Sequence, residues 1–503
     1  MRDLTELVGS LPWSKLKSSA LWDVVLQPGS KMAQLFDIVH QQQAATDEAA
    51  AVLLYGSSKS LSKLHSLKNN LKERLLGLVF LLDFNEPGYT DRQKAYYACN
   101  KTWATAMTLL SKRVKLSGIE LLEQLLRHTQ HFEFTELTIS ALYQLRLHYG
   151  TIAGDPKKYE QYRDLYKTYQ AIWMMENEAE ELYTQLISRF VSSRAPQAEI
   201  AAEAESYFRQ IEPHLARCSS FRLHLSGRLL QLSVYSGRND YRAMADLCEQ
   251  AIAFFQQKPY ESDLPLQAFY YQLVVSCVQL RDFGRGQAII RQHQGIYQDG
   301  SFNWFKVQEL YLLLALHTQH YDDAYDTCAA TLAHPKLEQQ PAQIREMWKI
   351  YEGYMHLLVR ARRVDRVPAQ KFKMARFLNE TPVFSKDKRG MNIPILILQI
   401  LFDIADKRYD QSIDRTEAIE KYTTRYLKKD EHFRSNCFVK MLLQIPAAAF
   451  HREAATRKAA TYAAQLGEMP LEIANQPHEI EIIPYEDLWS LALDLLPQQR
   501  TET

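Results

Sequence analysis

The stretch that decides the fold reads HTQHYDDAYDTCAATL and covers residues 317–332. After a polar tetrapeptide comes Tyr321, the small residue Ala324 lies three positions later, and Cys328 lies four positions after that. This spacing places an aromatic, a small and an apolar side chain on one face of a helix. The segment therefore predicts the second helix of a closely packed helical hairpin.

The same pattern recurs at three other places in the chain. Helices are predicted to begin at Tyr241 in YRAMADLCEQAI, at Phe283 in FGRGQAIIRQH and at Tyr409 in YDQSIDRTEAI, each after a polar turn. With Tyr321 included, the successive intervals are 42, 38 and 88 residues, and the last equals two units of 44. Periods of this size are typical of stacked helical hairpins.

Composition supports a helical chain. Its 503 residues include 17 Gly and 18 Pro, about 7% together against roughly 12% in average proteins. β-Sandwiches, β-propellers and nucleotide-binding sheets with glycine loops need many more tight turns than this Gly and Pro content allows. With 60 basic and 59 acidic residues the net charge is +1, which gives the whole protein no electrostatic drive toward nucleic acid or anionic membrane.

The four segments resemble the tetratricopeptide-repeat (TPR) superfamily over about residues 220–425. The small position of the family pattern falls on Ala324, Gly286 and Ser412, and Met244 departs from it. The repeat is longer than the family's roughly 34 residues. The resemblance implies an all-α fold, a right-handed α-solenoid of stacked antiparallel helical hairpins, which serves as a non-catalytic protein–protein interaction scaffold or adaptor.

The two ends differ from the repeats, so three regions are predicted: an N-terminal helical cap over 1–90, a TPR-like array over 91–430, and a C-terminal helical cap over 431–503. In the last region an Ala-rich helix is followed by HEIEIIPYEDLW, whose alternation at 479–482 predicts a short extended segment. A closing helix is predicted over 485–496.

A solenoid of this kind is expected to bind an extended peptide or a partner helix through the first helices of successive hairpins. Six polar and aromatic positions on those helices are predicted to contact the partner: Arg228, Gln231, Tyr270, Gln308, Tyr311 and Gln399.

Residues 360–389 form a basic segment, with ten basic against three acidic residues and Phe372, Phe377 and Phe384 interleaved. Basic side chains with aromatics can bind RNA or single-stranded DNA, or seat an acidic protein tail. The alternative is a solvated connection whose aromatic rings are buried between helices. The basic patch that carries the nucleic-acid hypothesis comprises Arg360, Arg362, Arg363, Arg366, Lys371, Lys373 and Arg376.

Catalytic and metal motifs are weak. HTQH at 128–131 and again at 317–320 places two imidazoles three residues apart, but both tetrapeptides are predicted to form equivalent inter-helix turns instead of a metal site. Arg209 and His214 match the RxxxxH pattern of HEPN-type ribonucleases, and Pro213 is predicted to spoil the helix between them. The sequence thus predicts no enzyme, metal or cofactor, and leaves a ligand-sensing subunit open.

The six cysteines are scattered without a CxxC pair, and the longest apolar stretches are far shorter than a membrane span. With no secretory signal in the first residues, these features predict a cytoplasmic location without membrane association. The expected partner is a protein or peptide, nucleic acid is the less favoured alternative, and self-association is left open.

Overall fold

The computed structural model describes residues 1–10, 26–79, 90–192, 197–366, 372–382, 392–426, 433–469, 471 and 481–497. Within these ranges the chain forms 22 α-helices with no strand, which confirms the prediction of an all-α protein. The predicted short extended segment is not found there: Ile482 and Ile483 form a bend, and Glu479 and Ile480 lie outside the described residues. No helix in the described ranges is both long and apolar enough to cross a membrane.

The chain divides into two compact units, Met1–Tyr169 and Gln170–Thr503. The helices of the first unit are α1 (Arg2–Ser10), α2 (Lys31–His40), α3 (Asp47–Tyr55), α4 (Leu61–Val79), α5 (Asp91–Ser111), α6 (Lys115–His131), α7 (Thr135–Thr151) and the first part of α8 (Pro156–Ser192). Helices α1–α4 enclose one core, around Leu35 and Leu71. Helices α5–α8 enclose another, around Leu122 and Leu142. The sequence-based boundaries at 90 and 430 stay predictions.

The second unit begins with the remainder of α8 and continues as a series of helical pairs. Its helices are α9 (Gln197–Arg217), α10 (Phe221–Gly237), α11 (Tyr241–Gln256), α12 (Asp263–Gln279), α13 (Phe283–His293), α14 (Phe302–His317), α15 (Tyr321–Leu332), α16 (Ala342–Arg360), α17 (Met374–Glu380), α18 (Ile393–Ala405), α19 (Tyr409–Tyr426), α20 (Phe433–Ala447), α21 (Arg452–Glu468) and α22 (Tyr485–Asp494). From α9 to α21, each helix packs mainly on the next helix in sequence or the one after it, as α12 does on α13 and α14. Each pair therefore buries its apolar side against its neighbours.

All four predicted helix starts are confirmed, because α11, α13, α15 and α19 begin at Tyr241, Phe283, Tyr321 and Tyr409. The small positions are in the interior, where Ala324 and Ser412 are fully buried.

Gly286 shows why the small position is needed. A Cβ at this residue would lie 2.4 Å from Leu314 Cδ2. Real Cβ atoms essentially never approach that closely, so a larger residue here would have to displace the end of the Leu314 side chain.

One turn geometry connects many of the helices. The second residue after the helix has a left-handed backbone, with φ between 54° and 63°, at Arg113, Glu133, Asn239, Arg281, Gln319 and Lys407. The N–H of the following residue then donates to a carbonyl five positions earlier, for example from Asp282 to Cys277 at 2.9 Å. This is the Schellman geometry. None of these six positions is Gly, which is consistent with the low glycine content.

The closing helix predicted over 485–496 is present as α22, and it is built into the largest core of the second unit. Its Tyr485 ring stacks on Phe438 of α20 at 4.4 Å, and Gln319, in the turn after α14, donates to Asp487 at 2.7 Å. Just before the helix, the carbonyl of Glu481 accepts a 2.9 Å hydrogen bond from His317 Nε2. The C-terminal segment thus joins helices that are distant in sequence.

Candidate functional site

Two of the six predicted partner-contact residues lie in the interior. Tyr270 is 3% exposed and Gln399 is 7% exposed. The Tyr270 ring stacks on His293 at 3.8 Å, and its hydroxyl accepts a 2.8 Å hydrogen bond from Gln256 Nε2. Both side chains take part in the helix packing of this conformation, and their contact with a partner stays a prediction.

The other four residues are half-buried. The Tyr311 hydroxyl accepts from Gln287 at 2.7 Å and lies 3.3 Å from Asp323, so it links α14 to α13 and α15. Gln231 reaches Tyr235 at 3.3 Å within its own helix. Burial lowers the pKa of Arg228, whose guanidinium contacts Gln250 at 3.4 Å. A partner-binding role for these three, and for Gln308, stays a prediction.

Four arginines of the basic patch pair with carboxylates, three from other parts of the chain and one from the same helix. The ion pairs are Arg360 with Asp406 at 3.1 Å, Arg363 with Asp494, Arg366 with Asp326 at 3.1 Å, and Arg376 with Glu380 at 2.7 Å. Arg362 forms part of a turn with positive φ, Lys373 is exposed, and Lys371 lies outside the described residues. Because Asp406 and Asp494 also pair with Arg408 and Arg452, these contacts engage the arginines without cancelling the charge excess of the segment.

The aromatic rings of this segment are not arranged to stack on bases. Phe377 is 4% exposed, and Phe372 stacks on Phe402 of α18 at 4.5 Å. Phe384 lies outside the part of the chain that the structure describes. These contacts favour the alternative that the segment is a connection whose aromatics are buried.

A small open pocket lies between α16 and α17 beside this connection. Its volume is about 60 Å³, and its lining includes Lys349, Glu352 and His356. Lys349 pairs with Glu352 at 2.9 Å, and burial lowers the pKa of His356. Small-molecule sites usually have volumes of roughly 300–1,000 Å³. The pocket is therefore too small and too internally paired to support a sensor function.

The two HTQH tetrapeptides are not structurally equivalent, so that prediction is wrong. His128 and His131 lie in the last turn of α6, whereas His317 ends α14 and His320 lies in the turn that follows. His317 is buried and bonded to the Glu481 carbonyl. Across the described ranges, no group of three or more His, Cys, Asp or Glu residues is arranged to hold a metal ion.

The Arg209 and His214 side chains face different carboxylates. Arg209 pairs with Glu205 at 2.9 Å, and His214 Nε2 lies 3.2 Å from Glu178. The prediction that Pro213 spoils the helix is wrong, because α9 continues through it to Arg217. The separate ion pairs leave the two groups without a common site for a phosphate.

The structure places a partly exposed set of aromatic, basic and apolar side chains on α7 and α8 that the sequence reasoning missed. We call it the tyrosine–arginine face, and its members are Tyr143, Arg146, Leu147, Tyr159 and Tyr166. The Arg146 guanidinium carbon lies 4.4 Å from the centre of the Tyr166 ring and 5.5 Å from that of Tyr143. Tyr143 is 44% exposed and Leu147 is 45% exposed.

Local sequence explains how this face forms. Positions 143, 146 and 147 share one side of α7 because residues three and four apart are neighbours on a helix. Gly150 lies one further turn along, and a Cβ there would be 2.8 Å from Tyr159 Cδ2, so the glycine lets α8 approach closely.

A polar network under the face fixes α6, α7 and α8 together. Glu123 Oε1 accepts from the hydroxyls of Tyr149 at 2.8 Å and Tyr162 at 3.1 Å, and Lys158 Nζ lies 3.3 Å from the same oxygen. Burial raises the pKa of Tyr162 to about 12, so its hydroxyl stays protonated as a donor. The helices that carry the face are therefore held in one register.

Comparison with known proteins finds no matching family model, no matching curated protein and no matching solved structure. Function must therefore be argued from the packing, burial and charge of this chain.

Proposed function

We propose that the protein is a non-catalytic scaffold or adaptor, a TPR-like right-handed α-solenoid that binds a partner protein or peptide. The observation that carries this proposal is the run of helical hairpins that reuse one turn geometry and pack mainly on their neighbours in sequence. Stacked helical hairpins form extended surfaces that are well suited to binding other protein chains. The TPR-like identity rests on the repeated anchor pattern, and scaffold function rests on analogy with that fold.

The alternative of a nucleic-acid-binding protein has weaker support. It needs cations that are free to neutralise phosphates. In the basic patch, Arg360, Arg363, Arg366 and Arg376 already pair with carboxylates of the same chain. A polyphosphate would have to compete with each of these pairs, so protein binding is the better proposal.

The test is affinity capture of the tagged full chain from a lysate of its source cells at low and at high salt. The eluate is divided between mass spectrometry and nucleic-acid analysis. A defined protein that stays bound at high salt, in a stoichiometric amount, supports the scaffold proposal. Recovery of nucleic acid that is lost as salt rises, with no protein partner, contradicts it because phosphate contacts weaken steeply with salt.

A further inference from the structure

Resting on the proposed scaffold function, we infer that the tyrosine–arginine face binds an acidic, partly apolar segment of a partner protein. A Glu or Asp side chain of that segment would pair with Arg146, and a neighbouring apolar side chain would lie on Tyr143 and Leu147. The inference depends on three properties of the face: an arginine with no carboxylate partner among the described residues, exposed apolar surface beside it, and a rigid support.

Arg146 supplies the positive charge of the face. No carboxylate oxygen of the described residues lies within 4.0 Å of its guanidinium nitrogens. Arg163 on the next helix differs, because it pairs with Asp164 at 2.9 Å. The Arg146 guanidinium is instead covered by the rings of Tyr166 and Tyr143. Such contacts orient the planar group and remove part of its water, while its N–H groups can still take a carboxylate bidentately.

Tyr143 and Leu147 supply the apolar half of the face. Both side chains are close to half exposed, and they lie next to Arg146 on one side of α7. Residues that dominate the affinity of protein interfaces are enriched in Tyr and Arg next to apolar contacts. The tyrosine–arginine face has this composition, and the Glu123 network holds its helices in place, so little ordering cost opposes binding.

The surroundings favour a peptide over a nucleic acid. Glu160 and Asp164 are exposed on the same helix as Tyr159 and Tyr166. These carboxylates would repel a chain with one phosphate per nucleotide, whereas a peptide can place a single carboxylate on Arg146 and turn its remaining groups away. Lys167 is exposed one residue beyond Tyr166 and adds a second cation for an acidic neighbour.

The experiment uses fluorescence anisotropy to measure binding to the full chain of a short fluorescein-labelled peptide in which one Glu is flanked by Leu and Phe. We expect saturable binding that Arg146→Ala weakens about tenfold or more, as truncation of an interface arginine does. Arg146→Lys should restore only part of the affinity, because Lys lacks the bidentate fork. Tyr143→Ala should also weaken binding. The matched control is Arg127→Ala, an exposed arginine of α6, which should leave affinity unchanged.

Three outcomes would overturn the inference. One is no saturable binding of the acidic peptide by the folded protein, checked by circular dichroism. Another is an equal effect of Arg146→Ala and Arg127→Ala. The third is binding of a single-stranded oligothymidine of matched charge that depends on Arg146 when peptide binding does not.

Failure of this inference can be distinguished from failure of the scaffold proposal. If lysate capture recovers a protein partner equally well with Arg146→Ala, the face is not its docking site and the scaffold proposal stands. If the peptide binds through Arg146 but lysate capture recovers no protein, the scaffold proposal fails while the chemistry of the face is supported.

Discussion

At the scale of single residues, the left-handed turn positions carry a measurable strain. Arg113 has φ 63° and an exposed side chain. A left-handed backbone costs a residue with a side chain roughly 1–2 kcal/mol, and Gly avoids this at an entropic cost of roughly 0.5–1 kcal/mol. We therefore expect Arg113→Gly to raise the free energy of unfolding by about 0.5–1 kcal/mol in urea denaturation.

The neighbouring Lys112 provides the matched control, because it is also exposed and carries the same charge but has φ −84°. Lys112→Gly removes the same charge at a position where Gly relieves no strain, so it should be neutral or destabilising. Equal stabilisation by both substitutions would mean that charge, not backbone strain, is responsible.

Two buried histidines should make stability depend on pH. Burial lowers the pKa of His317 and of His224 from 6.5 to about 4. Between these pH values the unfolded chain binds a proton at each site and the folded chain does not. The free energy of unfolding should therefore be unaffected by these groups above pH 6.5 and fall toward pH 4, by about 1 kcal/mol per pH unit for each histidine.

Urea denaturation between pH 7 and pH 5 checks this. His317→Gln and His224→Gln should each flatten the profile, whereas His128→Gln, at an exposed position in α6, should leave it as steep as before. A His317→Gln profile parallel to that of the natural protein would show that another group titrates.

At the scale of secondary-structure elements, the attachment of α22 depends on a buried ion pair. Arg434 and Glu481 have side chains that are 10% and 1% exposed, and they pair at 2.8 Å. Removing one member leaves a buried charge without its partner, which costs about 3–5 kcal/mol. Arg434→Leu should lower the free energy of unfolding by that amount. Adding Glu481→Leu should recover only part of the loss, because Arg434 also pairs with Glu486 and donates to the Leu466 carbonyl.

Arg452 is the control for this pair, because it also bonds the C-terminal segment, to Asp494 at 2.9 Å, but both side chains are about a third or more exposed. Solvent screens such a pair, so Arg452→Leu should change stability by less than about 1 kcal/mol. Similar losses of unfolding free energy for Arg434→Leu and Arg452→Leu in urea denaturation would contradict the expectation that the buried pair contributes more than the exposed one.

The elements also show what the sequence could and could not predict. Helix starts at Tyr241 and Tyr409 were predictable because a polar turn, an aromatic and a small residue are local signals. The ion pairs of the basic patch were not predictable, because Arg363 pairs with Asp494, 131 positions away. The tyrosine–arginine face was missed for a related reason, since exposure of Tyr143 depends on which helices pack beside α7.

At the scale of the whole molecule, the two compact units have separate cores and should respond separately to core mutations. Leu142 lies in the core of α5–α8, and Leu357 lies in the largest core of the second unit; both are fully buried. A Leu→Ala change at such a site costs about 2–5 kcal/mol. In hydrogen-exchange mass spectrometry, Leu142→Ala should speed exchange within α5–α7 and leave α12–α18 protected. Leu357→Ala should do the reverse. Because sub-global opening follows the contacts of each cooperative unit, faster exchange throughout the chain in either variant would mean that the protein unfolds as a single unit.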